Sequence, residues 1–289
     1  MSVGHTLSRC WRIAPVGLLA AALLLSAGGQ AQAGATITVD TLSGKEADDA
    51  DDDDCSLEEA IENANADRAV NDDCPAGSGA DTINIEVAGT INVHSTGFTI
   101  NSDVTINGAA GGTTIRGVAG LDIYSTDWNS SPNRIMTAVT LANLTISGAT
   151  TAVAVVDSFS GKSTLPFSVT LQNLLIEDST FGVDIGRWGS DSARPAIVVI
   201  KDSDIRRAFR GISHAMSGCS SFKAVDTVEV RNSTLRDGRW AVYGRCGPIK
   251  IIDSTIANNN VSGVDACPLP PSGRLDVVNS TIVNSGSTT

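Results

Sequence analysis

Aromatic side chains are scarce: Phe, Trp and Tyr together make up 4% of the 289 residues. Positive charge is scarce too, with 20 Lys and Arg against 32 Asp and Glu and a net charge of −12. Nucleic acid is therefore excluded as a partner, because phosphate contacts require a basic surface. Beyond Leu25 no apolar run approaches the roughly 20 residues of a membrane-spanning helix, so no transmembrane span is expected there. No C-x-x-C pair or Cys/His cluster occurs, which argues against structural zinc. Apolar residues do not recur at helical spacing over long stretches either, which removes helical repeats from consideration. What remains is a 42% hydrophobic chain with 28 Gly and abundant Asn, Ser and Thr. It has enough apolar material for a core, arranged as short strands separated by turns.

Residues 1–33 read as a secretory signal. Arg9 and Arg12 form a positive start, Val16 to Leu25 a short apolar stretch, and Ala31-Gln32-Ala33 a small-residue cleavage site. The product is expected outside the cytoplasm, in the periplasm, at the cell surface or in the medium. Cys10 lies in the signal, leaving Cys55, Cys74, Cys219, Cys246 and Cys267 in a compartment where disulfides persist.

The strongest pattern is an internal repeat. Val139 to Ile146, Val169 to Ile176, Val198 to Ile205, Val228 to Leu235, Ile249 to Ile256 and Leu275 to Ile282 share one arrangement. Each is an alternating apolar strand, an Asn or Asp, then a second apolar point. The polar positions are Asn143, Asn173, Asp202, Asn232, Asp253 and Asn279, separated by 30, 29, 30, 21 and 26 residues. Unequal spacing around a constant core is what a solenoid tolerates, because insertions fall into its outer loops. Period-2 alternation and β-branched residues make every element a strand. The expected fold is all-β, a single parallel β-helix in which Val139, Val169 and Val228 lie on successive windings. The recurring Asn or Asp then sits at a bend and stacks on its equivalent one winding away. Asn143, Asn232 and Asn279 also stand in N-x-Ser/Thr contexts, but the ladder is the preferred explanation. On this scheme residues 81–289 form the coils. The end at Thr289, just past a repeat strand, exposes a sheet edge and so suggests end-to-end self-association.

Residues 34–80 differ. Ser56 and Glu59 form a capping box ahead of Leu57, Ala60, Ile61 and Ala64 at helical spacing. One short helix is expected, covering the open first coil, with Cys55 and Cys74 bracketing it and able to fasten it. Cys55-Ser-Leu-Glu-Glu-Ala-Ile61, Ala64-Asn65, Cys74 and Gly79-Ala-Asp-Thr-Ile83 resemble the C-S-L-R-E-A-type N-terminal domain of bacterial exported right-handed β-helix proteins. The likeness covers roughly residues 36–117, with Glu58 standing where that motif usually has Arg. It implies a right-handed helix and export. It narrows function little, since such relatives include surface and adhesin-like proteins and the wider superfamily includes polysaccharide lyases and hydrolases.

Candidate chemistry falls in three places. Asp51, Asp52, Asp53 and Asp54 offer oxygen ligands for calcium, although without the spacing of a dedicated loop. Directly after each repeat's last apolar residue come Glu177-Asp178, Arg206-Arg207 and Arg236-Asp237. One reading is a groove for an anionic sugar, with Glu177 and Arg206 as binding residues and Asp178, Arg207, Arg236 and Asp237 as catalytic candidates. The simpler reading is a ladder of ion pairs between coils, Glu177 offsetting Arg206 and Arg207 lying between two aspartates. Trp188 and Trp240 could stack on sugars or anchor loops. His214, close to Gly211, does not complete a hydrolase motif and is expected to be structural. Cys246 and Cys267, at equivalent repeat positions, are the expected second disulfide, leaving Cys219 free. The leading function is a non-catalytic surface protein that binds a polysaccharide or cell-surface partner. The alternative is a secreted lyase or hydrolase acting on an acidic polysaccharide.

Overall fold

A computed structural model describes residues 33–44, 53–93, 96–125, 136–157, 166–187, 195–214, 226–244, 247–266 and 274–286. The described strands form three parallel sheets of nine, eight and seven strands. The chain visits the first, second and third sheet in turn and then repeats, so each strand's neighbours belong to the windings before and after it. One winding consists of Phe167–Gln172, Leu175–Glu177 and Phe181–Arg187, and the next of Ala196–Lys201, Asp204–Arg206 and Arg210–His214. A third consists of Thr227–Arg231, Thr234–Arg236 and Trp240–Gly244. This is a parallel β-solenoid.

The repeat read from the sequence is the structural register. In the first sheet Val139, Val169, Val198, Val228, Ile249 and Leu275 are successive partners. In the second, Ile146, Ile176, Ile205, Leu235, Ile256 and Ile282 align likewise. These columns point inward and, up to Ile249 and Ile256, are essentially fully buried. Burying each such side chain contributes roughly 1.5–3 kcal/mol, and only the stacking of neighbouring windings makes it possible. In the last described strands the columns continue into Leu275 and Ile282, which are exposed.

The bends are set by left-handed backbone. Asn143, Asn173, Asp202, Asn232, Asp253 and Asn279 all have φ between 45° and 59°, a region that Asn and Asp enter more readily than other non-glycine residues. Asn173 Nδ2 donates to Asn143 Oδ1 at 2.7 Å and Asn232 Nδ2 to Asp202 Oδ1 at 2.6 Å. Just inside this column, the buried Ser203, Ser233 and Ser254 form a second ladder. The N–H of Ser203 donates to Ser233 Oγ and that of Ser233 to Ser254 Oγ, both at 3.2 Å. Each hydroxyl in turn donates to the carbonyl two residues earlier.

The first coil is covered by the helix α1, Leu57–Ala66, which lies against Thr36–Val39, Asp81–Ile85 and Phe98–Ile100. The capping box is present: Glu59 N–H donates to Ser56 Oγ at 3.4 Å and Ser56 N–H to Glu59 Oε2 at 2.8 Å. A disulfide joins Cys55 to Cys74 across the helix. The fully buried Asn63 holds the following loop, accepting from the N–H groups of Val70 and Asn71 and donating to the carbonyls of Asn71, Cys74 and Pro75. Among the described residues no helix is long and apolar enough to cross a membrane.

Candidate functional site

The charged column lies where the sequence places it, on the outer side of the second sheet and its following bend, but its members are engaged with one another. Arg206 Nη2 and Arg207 Nη2 each lie 2.6 Å from Glu177 Oε2. Arg207 also grips Asp178 with two bonds, Nε to Oδ1 at 2.7 Å and Nη2 to Oδ2 at 3.0 Å. Arg236 grips Asp204 through Nη2 at 2.8 Å and Nε at 3.2 Å, and meets Asp237 at 2.8 Å. The expected pairing of Glu177 with Arg206 is therefore seen. Arg207 does lie between Asp178 and Asp237 in the column, but it bonds Asp178 and Glu177 only, while Asp237 is held by Arg236 in its own winding. The Arg206 bond holds Glu177 below the usual carboxylate range, Arg207 does the same to Asp178, and Arg236 is raised by Asp204. A general acid needs a carboxyl shifted the other way. An open groove of about 830 Å³ runs beside this strip over Asn143, Asn173 and Asp202 to Asp204 and Arg206. Its floor is the amide ladder, and its cation is already bound to Glu177.

A different arrangement lies one bend further along, on the outer face of the third sheet. Phe181, Arg210 and Trp240 are consecutive partners across three windings. The Arg210 guanidinium lies 5.5 Å from the Phe181 ring centre, 5.6 Å from that of Trp240 and 4.2 Å from that of Tyr243. Arg239 lies 5.0 Å from Phe209 and 4.5 Å from Trp240. Phe209 meets Trp240 edge to face at 5.0 Å, and Trp240 meets Tyr243 at 6.2 Å. Phe209, 39% exposed, and Arg239 stand outermost, with Phe181, Arg210, Trp240 and Tyr243 half-buried. Neither Arg210 nor Arg239 has a carboxylate within salt-bridge distance among the described residues, and Arg210 Nε is buried without a hydrogen-bond partner there.

Beside the cluster runs an outward column, Asp122, Ala154, Asp184, Ser213, Tyr243 and Asp265. Burial pushes Asp184 above the usual carboxylate range, opposed by the Ser213 hydroxyl and by Arg210. Burial raises Asp122 as well, and Tyr124 is raised by burial and then by Asp122.

Of the residues singled out from the sequence, Trp240 alone belongs to this cluster. Counting five residues past Ile176, Ile205 and Leu235 gives Phe181, Arg210 and Trp240, so the repeat that exposed the charged column also carried this signal. His214 is fully buried, its Nε2 3.7 Å from Asp226 Oδ2, and Asp226 Oδ1 accepts the N–H of Ala196 at 2.8 Å. It sits inside the coil, out of reach of any substrate. Trp188, Cys219, Cys246, Cys267, Asp51 and Asp52 lie outside the described residues. Asp53 and Asp54 are exposed, and no group of three or more His, Cys, Asp or Glu among the described residues is placed to hold a metal ion. No family model, curated protein or solved structure matches this chain.

Proposed function

We propose that this is an exported β-helix protein of right-handed sense, extracellular or held at the cell surface, which binds a glycan or a surface partner without transforming it. The Cys55–Cys74 disulfide suits an oxidising compartment, and parallel crossovers are overwhelmingly right-handed. The resemblance of Cys55 to Ile83 to C-S-L-R-E-A-type domains points the same way. The observation that carries the binding reading is the ring-and-guanidinium cluster of Phe181, Phe209, Arg210, Arg239, Trp240 and Tyr243. In an acidic chain it holds two arginines against aromatic faces, with no carboxylate within salt-bridge distance among the described residues. Trp, Tyr and Arg are also the side chains that dominate binding surfaces.

Asp122 and Asp184 favour a second reading, a secreted hydrolase or lyase acting on an acidic polysaccharide. They are two carboxyls raised by burial on one outward column with Ala154 between them. Their strands are two spacings apart, roughly 9–10 Å between backbones. Incubating the full chain with a polysaccharide panel, while following both retention and product release, separates the two. Retention without products is the expected result. New reducing ends or unsaturated products that vanish in Asp184→Asn would replace binding with catalysis.

A further inference from the structure

We propose that the cluster on the third sheet recognises the carboxylates of an acidic polysaccharide lying along the solenoid axis, through its arginines and not through its rings. This rests on the binding reading above and names its ligand. Sugar stacking needs a free aromatic face, but here the guanidiniums already cover the rings: Arg210 lies over Phe181, Trp240 and Tyr243, and Arg239 over Phe209 and Trp240. A guanidinium held against ring faces keeps N–H groups that the rings do not take up, in the fork that matches a carboxylate. The rings fix the arginines, and the arginines present the donors.

Charge complementarity selects an anion. Arg206, Arg207, Arg231, Arg236 and Arg274 all meet carboxylates of the chain itself, whereas Arg210 and Arg239 meet none among the described residues. Arg239 aligns with Phe209 and Arg210 with Phe181, so the two cations stand on successive windings, about one strand spacing apart along the axis. A polymer with a carboxylate on each unit can engage both. The neighbouring outward positions Thr150, Thr151 and Thr180 add hydroxyls rather than apolar pockets. An extended acidic peptide fits less well. Strand addition, which would hold an extended peptide by its backbone, needs an open sheet edge, and Phe181–Arg187, Arg210–His214 and Trp240–Gly244 are all paired on both sides.

The test is binding of the full chain to polygalacturonate, to the same polymer fully methyl-esterified, and to poly-glutamate. The expected result is binding to polygalacturonate only. Arg239→Gln should weaken it by about tenfold or more, the loss of one charge-assisted contact. Trp240→Phe, which keeps a ring beneath the guanidiniums, and Arg231→Gln, on another face, should each leave it within about threefold. Equal binding to the esterified polymer, equal binding to poly-glutamate, or unchanged binding by Arg239→Gln would each overturn this inference. The first and third would leave glycan binding itself standing. No retention on any member of a broader glycan panel would instead remove the binding reading on which the inference rests. An unchanged melting curve for Arg239→Gln, an exposed position, shows that any loss of binding is not a loss of fold.

Discussion

Arg207 and Arg210 belong to the same winding, yet one ends in a mesh of carboxylates and the other among aromatic rings. Arg207 follows the last apolar residue of the second sheet at the bend, where the previous winding offers Glu177 and Asp178. Arg210 opens the third-sheet strand, where the windings on either side offer Phe181 and Trp240. In a solenoid a side chain's partners are dictated by what occupies its own register position one winding away. Identical chemistry is ion-paired at one position and, among the described residues, has no carboxylate within salt-bridge distance at the next. The second-sheet strip is engaged with its own carboxylates, while the two arginines of the third-sheet cluster lie against rings.

The largest expected contrast comes from truncating one arginine in each region. Arg210→Ala strips the guanidinium from three rings at once. Desolvated cation–π contacts reach about 2 kcal/mol each and are not additive, so a loss of about 2–3 kcal/mol is expected. Arg236→Ala removes a partly exposed ion pair and should cost no more than about 1 kcal/mol. Urea unfolding of the two variants measures both. A cost for Arg236→Ala equal to that of Arg210→Ala would mean that the strip, not the cluster, is the better-coupled surface.

The difference in legibility between the two regions has a physical origin. Val139, Val169, Val198 and Val228 can be aligned from the sequence because the interior of this solenoid takes mostly aliphatic residues at recurring positions. Asn143 and its equivalents were visible because left-handed bends favour Asn and Asp. Ser203, Ser233 and Ser254 each follow the bend residue, in Asp-Ser-Asp, Asn-Ser-Thr and Asp-Ser-Thr. Their ladder depends on hydroxyls facing inward, which composition does not reveal. The bend after the second sheet was harder still. It holds Gly148, Asp178, Arg207, Asp237, Asn258 and Asn284, all at positive φ, but Arg207 breaks the chemical pattern. In the cluster, Phe181, Arg210 and Trp240 share a register and no residue type. Their relation emerges only when windings are stacked and a cation on one meets a ring on the next.

Acid should act on the two regions in opposite directions. Glu177 and Asp178 have folded-state pKa values lowered by Arg206 and Arg207. Their stabilising effect is present above the unfolded carboxylate pKa and is lost as pH falls through the lowered values. Asp184 is raised by burial, so its ionisation costs stability, and the folded state recovers that cost as pH falls through the raised value. Melting temperatures from about pH 3 to pH 8 test this. Glu177→Gln should flatten the acid limb, and Asp184→Asn should raise stability near neutral pH. A flatter acid limb in Asp184→Asn would place that carboxyl with the ion-paired group.

The finest distinction concerns Arg207 itself, whose φ of 54° lies in the left-handed region. Asn, Asp or Gly occupies every other aligned position of that bend, at Gly148, Asp178, Asp237, Asn258 and Asn284. Arg207 therefore combines an unfavourable backbone conformation with bonds to Glu177 and Asp178 that are largely exposed to water, where ion pairs contribute little. Arg207→Asn gives up the ion pairs and gains a residue suited to the bend, whereas Arg207→Ala gives them up and gains nothing. The expected order of thermal midpoints is Arg207→Asn slightly above the parent chain and Arg207→Ala below it. Equal losses in both variants would show that pairing outweighs backbone conformation here. In that case the strip would be held together by its charges, and its separation from the ring-bound arginines would rest on partner identity alone.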